Sequence, residues 1–112
     1  MSLENKSPFL LIKSLEIRVN ATLSALDIYR LDVAERKTVR GLKSELNDAR
    51  LDIRDYELSE TREEQLKNAK HAVKRLERVR RLILAASEYN VFSSVDVAQL
   101  TAELEQIIEN IY

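Results

Sequence analysis

The sequence predicts an all-α fold, an up-down antiparallel four-helix bundle forming a single domain over 1–112. Three observations carry that expectation. A single Gly and a single Pro in 112 residues are too few for a protein built on tight turns and hairpins. Apolar residues at 45% and charged residues at 33% suit a folded chain with one hydrophobic core and argue against disorder. The apolar residues also recur at alternating steps of three and four, the spacing of one helical face.

Each helix has its own signals. Ser7-Pro8 reads as an N-cap followed by Pro at the first helical position, where its missing N–H costs nothing. This predicts helix 1 over about 8–30. Asp32-Val33-Ala34-Glu35 has the capping-box spacing and predicts helix 2 over about 33–57, with Val39, Leu42, Leu46, Ala49, Ile53 and Tyr56 on its inner face. Gly41 inside it costs ~1 kcal/mol relative to Ala; a close helix crossing is one explanation and an incidental glycine another. Thr61-Arg62-Glu63-Glu64 opens helix 3, about 62–89, with an apolar stripe of Leu66, Ala69, Val73, Leu76, Val79 and Ile83. Ser93-Ser94 caps helix 4, about 95–111, along Val97, Leu100, Leu104, Ile107 and Ile111. The short connections make successive helices antiparallel neighbours. No internal repeat or low-complexity segment interrupts the pattern.

Helix 1 differs from the others in carrying two apolar stripes. Ile12, Leu15, Val19, Leu23 and Leu26 suit the bundle interior. Leu10, Ile17, Ala21 and Ile28 lie nearly opposite. A peripheral helix needs one apolar face, so the second predicts cover by another subunit and therefore a homo-oligomer, the alternative being cover by a loop or by the N-terminal segment.

Several classes of function are disfavoured by composition. Without Cys there is no disulfide, thiolate ligand or thiol nucleophile. No run approaches the ~20 apolar residues of a membrane span, and no signal-like segment opens the chain, so the expectation is a cytoplasmic protein without a membrane partner. Enzymatic signals are weak. His71 has no partner ligands and sits among Lys and Arg. Glu63-Glu64 lacks a Glu-x-x-His companion, and no Gly-rich phosphate loop, nucleophile elbow or zinc spacing occurs. The expectation is a non-enzyme with no cofactor and no metal. Asp48 and Asp52 alternating with Arg50 and Arg54 read as local ion pairs on a solvated face. Tyr29, Tyr56 and Tyr89 sit near helix ends, where a ring packs while its hydroxyl stays wet.

The net charge of −1 hides segregation. Residues 59–91 hold eight bases and five acids, whereas 92–112 hold four acids and no base. Between Lys67 and Arg81 the bases are Lys67, Lys70, Lys74, Arg75, Arg78, Arg80 and Arg81, against Glu77. At 100° per residue, Lys67, Lys70, Lys74, Arg78 and Arg81 fall within an arc of about 80°, opposite the apolar stripe. This ladder is the candidate nucleic-acid contact, through phosphate charge and backbone shape. Aromatics are not interleaved with these bases, so stacking on single strands is not expected of them. The competing expectation pairs the bases with Asp48, Asp52 and Asp55 of helix 2 and Glu103, Glu105 and Glu109 of helix 4, leaving no electrostatic footprint.

The order of these pieces resembles a known family. Leu31 to Leu42, with Glu35-Arg36, is similar to the start of helix 2 in the four-helix-bundle family that includes the accessory variability determinant of diversity-generating retroelements, with Gly41 about one place off that family's Leu-Gly pair. Lys74 to Ala86 resembles that family's helix 3. Val97 to Ile108 resembles its helix 4, an ending shared with the ribosomal intervening-sequence proteins. The likeness spans about residues 10–111 and lies mostly in helix patterning; the Pro that follows helix 1 in the family is absent. The resemblance implies a ring-like homo-oligomer of the pentameric kind that binds RNA or DNA and a reverse transcriptase. The leading expectation is thus an accessory protein for retroelement mutagenesis, and the alternative is a homo-oligomeric protein–protein scaffold with no nucleic-acid role.

Overall fold

The computed structural model describes residues 7–111; residues 1–6 and Tyr112 of the expected 1–112 domain lie outside the described residues. Among the described residues there are four α-helices, α1 (Pro8–Ser24), α2 (Val33–Glu57), α3 (Arg62–Ser87) and α4 (Ser94–Ile111), with a short 3₁₀ turn (Ile28–Arg30) after α1. Each helix packs antiparallel on the next and α4 closes against α1. The result is an all-α four-helix bundle about 47 Å long and 30 by 18 Å across.

Local chemistry sets the helix starts. The Ser7 hydroxyl accepts from the Leu10 N–H at 3.2 Å, with Pro8 opening the helix. Asp32 and Glu35 form a full capping box, Asp32 accepting from the Glu35 N–H at 2.8 Å and Glu35 from the Asp32 N–H at 2.9 Å. Thr61 accepts from the Glu64 N–H, but the Glu64 carboxylate turns to the Glu60 N–H, so only half of a capping box forms at the start of α3. Ser93 caps α4 by accepting from the Asp96 N–H at 3.1 Å. These contacts satisfy N–H groups that a helix start leaves without partners.

Helix 1 ends earlier than its apolar pattern suggests. It stops at Ser24 instead of running to residue 30, because Asp27 accepts from the Tyr29 N–H at 3.1 Å and sets up the 3₁₀ turn. A short side chain that bonds its neighbouring backbone competes with the helix at that point. At the end of α3, Asn90 takes a left-handed conformation (φ 63°), and the Val91 N–H bonds back to the Ala86 carbonyl. Asn tolerates this conformation better than most residues.

The core runs the length of the bundle. Ile12, Leu15, Val19 and Leu23 of α1 meet Val39, Leu42, Leu46, Ala49 and Ile53 of α2, and Leu100, Leu104, Ile107 and Ile111 close it from α4. No polar or charged residue is buried among the described residues. The α2–α3 pairing is the most extensive, and Ala49, Ala69, Ala72 and Ala86 are fully or almost fully buried, small side chains that suit close helix packing. The buried arc of α3 therefore includes Ala72 and Ala86. Leu66, expected inside, is 46% exposed, because at 100° per residue it stands about 80° from Leu76, at the edge of the buried arc. Gly41 marks no close crossing either: a Cβ added there would meet nothing within 4 Å.

Candidate nucleic-acid interface

The inner arc of α3, through Ala72, Leu76, Val79 and Ile83, is buried, which turns the opposite arc to solvent. Lys67, Lys70, Lys74, Arg78 and Arg81 are all exposed. Fourteen residues of rise at 1.5 Å each make a strip of cations about 21 Å long. Among the described residues none of these five bases lies in an ion pair.

The bases on the flanks of α3 behave differently. The Arg75 guanidinium donates from Nη1 to Glu45 at 2.9 Å and from Nε to Asp52 at 3.2 Å, with Asp48 at 3.7 Å. Its side chain is 27% exposed. The hydrogen bond to Glu45 raises its pKa above the ordinary guanidinium value, helped by Asp52 and opposed by burial. On the other flank Arg80 reaches Glu105 of α4 at 3.4 Å. Of the acids expected to neutralise the ladder, Asp48, Asp52 and Glu105 are spent on these two arginines, and Glu103 pairs with Arg18 of α1. Asp48 and Asp52 thus bridge between helices instead of pairing locally with Arg50 and Arg54. Arg50 turns the other way, to Glu16 of α1 at 3.0 Å.

A shallow depression of about 670 Å³ runs along the first half of the ladder. Leu66 and Val73 contribute apolar lining, while Lys67, Lys70, Lys74 and His71 share its walls with Glu63 and Glu77. Its cations suit phosphate oxygens, while Glu63 and Glu77 oppose an anion at its edges. Among the described residues no cluster of His, Cys, Asp or Glu is placed to hold a metal ion, and no helix is long and apolar enough to cross a membrane.

The expected oligomer face is only partly continuous. Leu10 and Ile17, 54% and 62% exposed, lie with the exposed Ala21 on the outer side of α1. Ile28 is exposed too, but it sits on the 3₁₀ turn and so does not extend the α1 stripe.

Two features escaped the sequence pattern. One is a second group of exposed or half-buried bases on the first half of α2, Arg36, Lys37, Arg40 and Lys43; the four stand within about 120° of arc, a signal the same helical-wheel count would have found. The other is that the tyrosines diverge. Tyr56 donates its hydroxyl to the Ile111 carbonyl at 2.9 Å and so caps α4. The Tyr89 hydroxyl is buried with no partner among the described residues, and Tyr29 is 88% exposed. No protein family, curated protein or solved structure matches the chain.

Proposed function

We propose that this protein is a non-enzymatic, homo-oligomeric accessory factor that binds the phosphate backbone of RNA or DNA through the outer face of α3. The observation that carries the reading is the contrast within that helix: Arg75 and Arg80 are held by carboxylates, while Lys67, Lys70, Lys74, Arg78 and Arg81 stand exposed and outside every ion pair among the described residues. Side chains held for structure are tied to their partners, whereas a free strip of cations attracts polyanions. One strip on a chain of net charge −1 binds weakly. Repetition around an oligomer multiplies simultaneous phosphate contacts, and the exposed Leu10, Ile17 and Ala21 of α1 supply a surface for that assembly. The sequence resemblance to the accessory variability determinant supports a pentameric ring and a reverse transcriptase as the protein partner.

Two variants of equal net charge test the assignment. Lys67→Gln, Lys74→Gln and Arg81→Gln together should weaken binding of a labelled RNA or DNA at least tenfold. Lys13→Gln, Arg54→Gln and Arg62→Gln, exposed bases elsewhere, should change it less than threefold. Equal losses in both would reduce the effect to bulk charge and remove α3 as the site. Solution mass tests the assembly, and a strict monomer contradicts it.

A further inference from the structure

The corner where α1 passes into α2 combines features that the α3 ladder lacks. Arg36, Lys37, Arg40 and Lys43 project from the first half of α2, and none is in an ion pair among the described residues. The neighbouring carboxylates are engaged elsewhere: Asp27 accepts from the Tyr29 N–H, Asp32 and Glu35 complete the capping box, and Glu45 is held by Arg75. Arg36 donates from Nε to the Asp32 carbonyl at 3.4 Å, which ties its guanidinium to the start of α2.

The 3₁₀ turn that leads into α2 carries an exposed aromatic ring. Ile28 shares a hollow of about 190 Å³ with Arg36, Arg40 and Lys43. Its chain neighbour Tyr29 is 88% exposed, on a 3₁₀ turn whose backbone is fixed by Asp27. The ladder of α3 reaches the same end of the bundle. Arg75 sets the register, because it reaches Glu45 and Asp52. Arg75 stands between those two levels, so residues after about Arg78 on α3 run beside residues before Glu45 on the antiparallel α2, and the ladder's Arg81 shares this end with Arg40 and Lys43.

We infer that the α1–α2 corner is a single-stranded nucleic-acid site, in which Arg36, Lys37, Arg40 and Lys43 hold phosphates while an unpaired base stacks on Tyr29. A duplex keeps its base faces covered; a single strand or loop offers them. The inference rests on the nucleic-acid reading above and adds the kind of strand that is bound.

The test measures affinity by fluorescence anisotropy with a labelled 20-nucleotide pyrimidine-rich RNA and a 20-base-pair DNA duplex, using the full chain and its Tyr29→Ala and Tyr29→Phe variants. Tyr29→Ala should weaken the single strand about tenfold, as loss of one stacked base does, and leave the duplex within twofold. Tyr29→Phe should keep both. Because the side chain is exposed, folding is not at stake in either variant. Unchanged single-strand affinity in Tyr29→Ala, alongside loss in the ladder variant, overturns this inference and leaves the α3 reading standing. Failure of the native protein to bind either probe overturns both. A fall in solution mass in Tyr29→Ala would make the corner a protein interface and also overturns it.

Discussion

Lys74 and Arg75 are neighbours on α3, yet the Arg75 guanidinium is gripped by Glu45 and Asp52 of α2 while the Lys74 ammonium faces solvent. One step of 100° around the helix separates a cation that ties two helices together from one available to a ligand. A further step reaches Leu76, fully buried in the core. Composition cannot distinguish these roles, since all seven bases between Lys67 and Arg81 look alike in a charge count. Their position on the circumference, and the sequence of the helix that packs beside them, decides what each one does.

Substitutions around this circumference sharpen the contrast. Leu76→Ala should cost the most stability, about 3 kcal/mol, by opening a cavity in a site with no exposed surface, and thermal unfolding will read it. Arg75→Ala should cost about 1 kcal/mol, since it leaves Glu45, Asp48 and Asp52 without their cation but in a partly solvated setting that screens the loss. Its pH behaviour follows from sign. A guanidinium whose folded pKa is raised stabilises the fold fully below its ordinary range, and that contribution fades only as pH climbs through the raised value. Arg75 therefore adds no slope to stability at roughly neutral pH, far below the range in which a guanidinium titrates, and urea titrations there should differ between native and Arg75→Ala by a constant amount.

Gly41→Ala should act in the opposite direction. With nothing within 4 Å of the added Cβ and a helical backbone, the change should stabilise by roughly 0.5–1 kcal/mol. A destabilised Gly41→Ala would show that the glycine serves packing after all. Lys74→Ala comes last, within about 0.5 kcal/mol of native. A larger cost there would mean that the ladder also holds structure, and the distinction between the two regions of α3 would fail.

Much of this architecture was legible from residue spacing. Asp32 and Glu35 fixed the start of α2, and the three-four rhythm of Val39, Leu42, Leu46, Ala49 and Ile53 identified its buried face because such spacing is local and needs no knowledge of neighbours. The end of α1 was not legible from periodicity, since Leu26 and Ile28 continue the apolar rhythm while Asp27 breaks the backbone by a local hydrogen bond. Leu66 was misplaced for a different reason: it stands at the edge of the α3 stripe, and whether an edge residue is covered depends on how the neighbouring helices sit. The openness of the ladder was hidden too. Asp48, Asp52 and Glu105 were recognisable as partners for α3, but only packing shows that they reach Arg75 and Arg80 and leave Lys67, Lys70, Lys74, Arg78 and Arg81 aside. Tyr29 illustrates the same limit, because its exposure follows from the turn at Asp27 and not from its own chemistry.

The most direct measurement is the salt dependence of nucleic-acid binding. For the native protein and a variant with Lys67, Lys70, Lys74, Arg78 and Arg81 all changed to Gln, the logarithm of affinity for duplex DNA is followed from 50 to 200 mM salt. If each ladder base neutralises one phosphate, the native slope should exceed the variant's by about 4.5 per protomer engaged, at ~0.9 for each contact. An identical slope in the two proteins would contradict the assignment of α3 as the phosphate-binding face.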